Sequence, residues 1–217
     1  MTLILAIPCR DRVVIAADGR TTHFEAGKHL PDMLKIFELT PNSAILIAGE
    51  CLIDDLSEYM DKLVQDVRAR GNTNIVDIAR DVKAIIDKRE WAEWKDKLTK
   101  SHMEALVAGF DGGIPTVYSI GDSRDLTRCR AGVFGNWNNA RQYILDHLSI
   151  EHSENTTKTG NKVATEMLTR AENANNTEIG GQCAIWHILP SHIRKLDASD
   201  IAKLQKRYGE KIRHEHS

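Results

Sequence analysis

Residues 2–18, TLILAIPCRDRVVIAAD, decide the fold, because they hold two short apolar runs joined by the turn-forming stretch CRDR. A second pair of such runs follows at residues 35–39 and 43–48, joined by TPNS. Both pairs predict strands in hairpin-like arrangement. Their near-continuous apolar character is typical of a sheet that is covered on both faces.

The period of the apolar residues changes after Gly49. They recur at helical spacing over residues 53–67, and Gly71 then ends this first pattern. Helical spacing returns over residues 75–86. Strands are then expected at residues 104–110, 115–120, 131–135 and 182–189, with helices near 137–148, 159–172 and 199–208.

This order of strands and paired helices predicts an α+β fold in four αββα layers, with two sheets face to face and a helix pair on each. A doubly wound α/β sheet is the alternative, but the hairpin-like pairing of adjacent strands favours the two-sheet arrangement. No repeat, low-complexity segment or Pro/Gly-rich linker divides the sequence. We therefore predict one domain over residues 1–217, with a short helical tail from about residue 191.

The composition is that of an ordinary soluble protein, with 41% hydrophobic and 28% charged residues. A net charge of −2 gives no electrostatic reason to expect a nucleic acid or an anionic membrane as partner. No signal peptide or membrane-spanning segment is expected. The four cysteines are scattered without a C-x-x-C pair, which favours reduced thiols in the cytoplasm. The nine histidines show no metal-ligand spacing, so no catalytic metal is expected.

Thr2 is a candidate nucleophile, because removal of Met1 would place a hydroxyl and a free α-amine on one residue. The pKa of such an amine is ordinarily about 7.7–8.0, so a useful fraction is an unprotonated base at neutral pH. Taken alone, a threonine at position 2 is common in proteins without this role.

Three further residues supply what this nucleophile needs. Lys35 would stabilise developing negative charge, Asp18 would hold the lysine charged and oriented, and Gly49 would offer a backbone N–H to an oxyanion at the start of a helix. Separately, each has an ordinary explanation, as a surface lysine, a turn aspartate and a strand-to-helix glycine. Their joint occurrence favours amide-bond hydrolysis.

These residues, with LKIFEL at 34–39 and AILIAGE at 44–50, resemble the start of proteasome β-type subunits. Members of that family are N-terminal-nucleophile hydrolases that degrade peptides inside stacked rings. The resemblance is strong over residues 2–70 and continues in the order of elements to residue 190. It implies the four-layer sandwich of that family. It also implies specific roles: Thr2 as nucleophile, Asp18 as its acidic partner, Lys35 as catalytic lysine and Gly49 as oxyanion-hole glycine.

The resemblance also implies how substrate is held. Thr22 matches a residue that pairs with the substrate backbone, as an extended peptide adds itself like a strand. The first specificity pocket would be moderately apolar and formed by Thr21, Met33, Ile47 and Cys51.

The sequence departs from the family at positions that support the nucleophile. It reads Gly-Asn-Trp at 135–137, with Asn136 in place of a serine, and Asn176 and Ile179 replace an aspartate and a serine. These departures favour an alternative in which the chain is a catalytically inactive, ring-forming structural subunit. A small-molecule amidase is a third interpretation.

Among the family's bacterial branches, the chain is similar to HslV-like peptidases and to betaproteobacterial proteasome homologues. The inserted stretch 88–103 favours the latter, and its Trp91 and Trp94 either pack against neighbours or contact incoming peptide. The resemblance implies self-association in stacked rings of roughly 12 or 14 subunits, peptide substrates and an AAA+ unfoldase as partner. It implies no cofactor beyond a structural monovalent cation near residues 180–183.

Overall fold

The computed structural model of the chain describes residues 3–23, 28–30, 34–49, 56–92, 103–121, 125–135, 139–174, 180–210 and 212. The strands are β1 (Leu3–Pro8), β2 (Val13–Ala17), β3 (Thr21–His23), β4 (Lys28–Leu30), β5 (Ile36–Thr40), β6 (Ser43–Gly49), β7 (Met103–Asp111), β8 (Ile114–Ile120), β9 (Leu126–Cys129), β10 (Gly132–Gly135), β11 (Ala184–Ile188) and β12 (Ile193–Lys195). The helices are α1 (Leu56–Ala69), α2 (Ile75–Ala92), α3 (Ala140–His147), α4 (Thr157–Ala174) and α5 (Ala198–Leu204), with a 3₁₀ turn at His152–Glu154 and a π-helical turn at Gln205–Gly209.

Ten of these strands form two antiparallel five-stranded sheets. The first has the order β10-β1-β2-β11-β12, and the second has the order β5-β6-β7-β8-β9. Strands β3 and β4 form a separate two-stranded hairpin. The register of β1 on β2 places Ile4 opposite Ala17, so Asp18 follows directly beside the start of the chain.

The alternation of β1 shows how the layers stack. Leu3, Leu5 and Ile7 belong to the apolar cluster shared with α3 and α4, whereas Ile4 and Ala6 belong to the cluster between the two sheets. A third cluster lies between the second sheet and helices α1 and α2. The described residues therefore form four layers, helix, sheet, sheet and helix, as the sequence predicts.

The strands and helices predicted from apolar periodicity are present, with ends that differ by a few residues. Sequence reasoning missed β9, whose residues are mostly half-buried or exposed, and the short β3–β4 hairpin. The segment after residue 191 begins with β12, because Ile193–Lys195 turns back onto Trp186–Ile188 of β11, and becomes helical only at α5. Within the described part of the chain, no helix is long and apolar enough to cross a membrane.

Candidate active site

Asp18 lies at the end of β2, buried to 1% exposure beside the first described residue of the chain. Its backbone N–H donates to the Leu3 carbonyl at 3.1 Å, and the Leu3 N–H donates to its Oδ1 at 2.8 Å. Its Oδ2 accepts from the Gly180 N–H at 3.3 Å. Backbone donors from two separate segments therefore fix both carboxylate oxygens.

Lys35 approaches the same carboxylate from the other sheet. It directly precedes β5, and its Nζ donates to Asp18 Oδ1 at 2.8 Å and to the Arg20 carbonyl at 2.6 Å. The Lys35 carbonyl accepts from the Ile47 N–H at 3.1 Å, which ties the lysine to β6. The site therefore bridges the two sheets at one end of the sandwich.

The Asp18–Lys35 ion pair is buried, with Lys35 only 5% exposed. A charged group out of water is tolerated when it is paired and hydrogen-bonded, and both conditions hold here. The Leu3 nitrogen and Lys35 Nζ share one carboxylate oxygen, each at 2.8 Å. The lysine ammonium is thus fixed close to the start of β1.

The structure places four other predicted residues as follows. Gly49 ends β6, opposite Met103 of β7, at the end of the sheet where β5 begins. Thr21 and Thr22 lie in β3, opposite Leu30 and His29. Ile47 is buried in the cluster between the second sheet and the helices α1 and α2. The remaining predicted site residues lie outside the described residues: Thr2, Met33, Cys51, Asn136, Asn176 and Ile179.

Sequence reasoning found the charged pair but missed the backbone groups that hold it. These are the Leu3 N–H, the Arg20 carbonyl and the Gly180 peptide. A backbone donor or acceptor has no side-chain identity, so the sequence gives no direct signal for these groups.

A cleft of about 550 Å³ opens beside the pair, at the edge where β11 and β12 face the start of β5. Its walls are polar and apolar in nearly equal parts, with two amide side chains and, among the described lining residues, no charged side chain other than the pair. The apolar lining is Leu34, Ala184, Trp186, Leu196 and Ile201, and the amides are Gln182 and Gln205. The cleft is large enough for part of a peptide to reach Lys35.

The described residues contain no cluster of three His, Cys, Asp or Glu side chains able to hold a metal ion. For a monovalent cation near 180–183, the Gly180 carbonyl already accepts from the N–H groups of Gly19 and Arg20, at 3.0 and 2.9 Å. That oxygen is therefore already occupied by hydrogen bonds. The monovalent cation stays a prediction, and it would have to bind other carbonyl groups of the segment.

Comparison with protein families gives one match, to the family of proteasome subunits, over residues 2–186. A comparison with curated proteins finds no match. The matched segment contains strands β1 to β10 and helices α1 to α4. It ends within β11, so β12 and α5 lie beyond it. The four-layer architecture agrees with the α+β sandwich of N-terminal-nucleophile hydrolases. The chain belongs to the proteasome subunit family.

Proposed function

We propose that this proteasome-type protein is a threonine endopeptidase that hydrolyses unfolded polypeptides inside a homo-oligomeric double ring. The buried Asp18–Lys35 pair carries the proposal, because it holds an ammonium group on the same carboxylate oxygen that accepts from the Leu3 N–H. Leu3 follows Thr2 in the sequence, so the pair lies one peptide bond away from the proposed nucleophile.

The reaction would use the chain's own groups in two stages. After Met1 is removed, the α-amine of Thr2 accepts the Oγ proton, and Oγ attacks the scissile carbonyl carbon. The Lys35 ammonium stabilises the negative charge on Oγ, and the Gly49 N–H donates to the oxyanion of the tetrahedral intermediate. The protonated α-amine then gives its proton to the leaving amine, which leaves an ester on Thr2. Attack by water on that ester releases the second product and restores the hydroxyl.

The finer parts of the proposal follow the family resemblance. Substrate would pair with Thr22, and its side chain would enter a pocket formed by Thr21, Met33, Ile47 and Cys51. The rings would hold roughly 12 or 14 subunits and receive polypeptide from an AAA+ unfoldase, as the resemblance to HslV-like peptidases implies. We propose a cytoplasmic location, which agrees with the absence of a disulfide at the described residues Cys9 and Cys129.

Intact-mass analysis with a peptide epoxyketone tests the activity, because this reagent needs both the threonine hydroxyl and a free α-amine. We expect Met1-free protein to gain one inhibitor per chain. Thr2→Ala and Lys35→Ala should gain none, whereas Thr2→Ser should still react. Met1-free wild type that stays unmodified would contradict the proposal and support the inactive structural subunit, which the departures at Asn136, Asn176 and Ile179 favour.

A further inference from the structure

Gly180, in the loop between α4 and β11, contacts the candidate site directly. Its N–H donates to Asp18 Oδ2 at 3.3 Å. Its carbonyl accepts from the N–H groups of Gly19 and Arg20, at 3.0 and 2.9 Å. All three bonds go to the turn at residues 18–20, although Gly180 lies far away in sequence.

That turn contains two acceptors of the Lys35 ammonium. One is Asp18 Oδ1, at 2.8 Å, and the other is the Arg20 carbonyl, at 2.6 Å. The Gly180 N–H holds the Asp18 carboxylate through its other oxygen, Oδ2. The Gly180 carbonyl holds Arg20 through the Arg20 backbone N–H. The position of Lys35 Nζ therefore depends on Gly180 through two routes.

We propose that Gly180 is a positioning residue, which keeps the Asp18 carboxylate and the Arg20 carbonyl where they orient Lys35. Its effect on geometry stands on the contacts above, and only its effect on catalysis rests on the proposed peptidase function. Gly180 acts through Asp18 and Arg20, so it is not itself a catalytic residue.

The backbone conformation explains why this residue is glycine. Gly180 has φ of +141°, a region that residues with a Cβ rarely adopt. The φ angle sets the direction of the N–H relative to the carbonyl of the same residue. A substitution that shifts φ therefore cannot keep the bond to Asp18 and the bonds to Gly19 and Arg20 together.

Crowding at this position is the smaller effect. A Cβ would lie 3.1 Å from Glu172 Oε1 and 3.2 Å from Arg20 Cζ, both at the ends of flexible side chains that can move. We therefore expect Gly180→Ala to fold, with the turn at 18–20 displaced. Should it not fold, Gly180→Ala combined with Glu172→Ala removes the atom nearest to the new methyl group.

The kinetic test measures the rate of epoxyketone adduct formation per active site by intact mass. We expect Gly180→Ala to reach the same final adduct stoichiometry as wild type, with a rate constant roughly ten- to a hundredfold lower, because a small displacement of a reacting group has effects of that size. The matched control is Gly113→Ala, which has φ of +86° and no atom within 4 Å of its Cβ, in the β7–β8 turn. Its rate constant should equal that of wild type.

A purely structural role predicts a different result. It would lower the amount of active protein and leave the rate constant of the remaining sites unchanged, and that outcome would overturn the proposal.

A second measurement does not need activity. Reductive methylation with formaldehyde and cyanoborohydride, read by peptide mass mapping, reports how freely Lys35 Nζ reacts. We expect about tenfold faster methylation of Lys35 in Gly180→Ala than in wild type or Gly113→Ala, since a hydrogen bond to a charged group is worth about that factor or more. Equal methylation rates in all three proteins would overturn the proposal. If wild type forms no epoxyketone adduct, the peptidase function fails while this measurement still decides the role of Gly180.

Discussion

At the scale of single residues, the Asp18–Lys35 pair is buried and held by several hydrogen bonds. Each charge is nearly inaccessible to water, and each is satisfied by partners from a different part of the chain. Burying such a pair is costly, and removing one partner leaves the other charge uncompensated. The pair should therefore be sensitive to single substitution even if the protein has no enzymatic activity.

We expect Lys35→Ala to lower the free energy of unfolding by about 3–5 kcal/mol, because it leaves the Asp18 carboxylate buried without its cation. Urea denaturation followed by circular dichroism measures this loss. The control is Lys62→Ala, which breaks an exposed pair with Glu58 of similar length, 2.7 Å, and should cost less than about 1 kcal/mol. Equal losses in the two variants would show that the buried pair does not hold the two sheets together at this end.

His187, in β11, makes stability depend on pH. It is 4% exposed, its Nε2 lies 2.8 Å from Asn161 Oδ1, and its Nδ1 has no hydrogen-bond partner among the described residues. Burial, with the nearby charges of Arg12 and Arg194, lowers the pKa of His187 to about 4, from a usual 6.5. The unfolded chain therefore binds more protons between those pH values, so stability falls as the pH drops from 6.5 to 4.

We expect His187→Gln to remove this part of the pH dependence, which amounts to about 2–3 kcal/mol across the interval. The glutamine amide can still donate to Asn161. The measurement is the free energy of unfolding at several pH values between 4 and 7.5, compared with wild type. The control, His192→Gln, changes an exposed histidine near the same edge of the sheet. Parallel pH curves for wild type and His187→Gln would contradict the assignment.

At this scale the sequence predicted side chains and missed backbone groups. Asp18 and Lys35 were identifiable because their chemistry is specific and each lies at a strand end. Gly180 and the Arg20 carbonyl were not, because their role depends on which peptide groups the fold brings together. Only the three-dimensional arrangement contains that information.

At the scale of the elements, the close contact of α4 with β2 depends on Gly160, which has no side chain. A Cβ at Gly160, in the first turns of α4, would lie 2.7 Å from Cys9 Sγ and 2.9 Å from Val14 Cγ2. The helix can therefore pack on the first sheet only at the distance that glycine allows. This close approach outweighs the weak helix propensity of glycine.

We expect Gly160→Ala to destabilise the protein by about 1–3 kcal/mol, although alanine is the better helix former, because the methyl group overpacks the contact. Denaturation of Lys158→Ala, an exposed change in the same helix, gives the control and should be nearly neutral. Adding Cys9→Ala to Gly160→Ala should recover part of the loss, since it removes the nearest atom. Strictly additive losses would argue against the contact.

Elements were predictable in proportion to their burial. Strands β1 and β2 are buried along their whole length, and their apolar runs were evident in the sequence. Strand β9, LTRC, has no residue buried in the core, so no pattern marked it. The π-helical turn Gln205–Gly209 continues α5 without any break in composition, and helical periodicity alone does not distinguish the two.

At the scale of the whole molecule, the surface offers a candidate for the contact between subunits that the proposed ring requires. Leu145, near the end of α3, is 50% exposed, and Ile150, just beyond it, is 78% exposed. Two large apolar side chains so near in sequence are a better candidate for an interface than an isolated one. Ile114, 45% exposed at the start of β8, is an isolated case, and Leu34, 51% exposed, lines the cleft beside the Asp18–Lys35 pair.

We expect the wild-type protein, with a subunit mass of 24.4 kDa, to sediment as an assembly of roughly 12 or 14 subunits in analytical ultracentrifugation. Ile150→Glu should shift it to smaller species, because a carboxylate buried unpaired at an interface is strongly disfavoured. Ile114→Glu should assemble like wild type. Circular dichroism should show both variants folded, since both positions are exposed. A wild type that stays monomeric would contradict the ring, whereas an Ile150→Glu protein that assembles normally would place the subunit contact elsewhere on the surface.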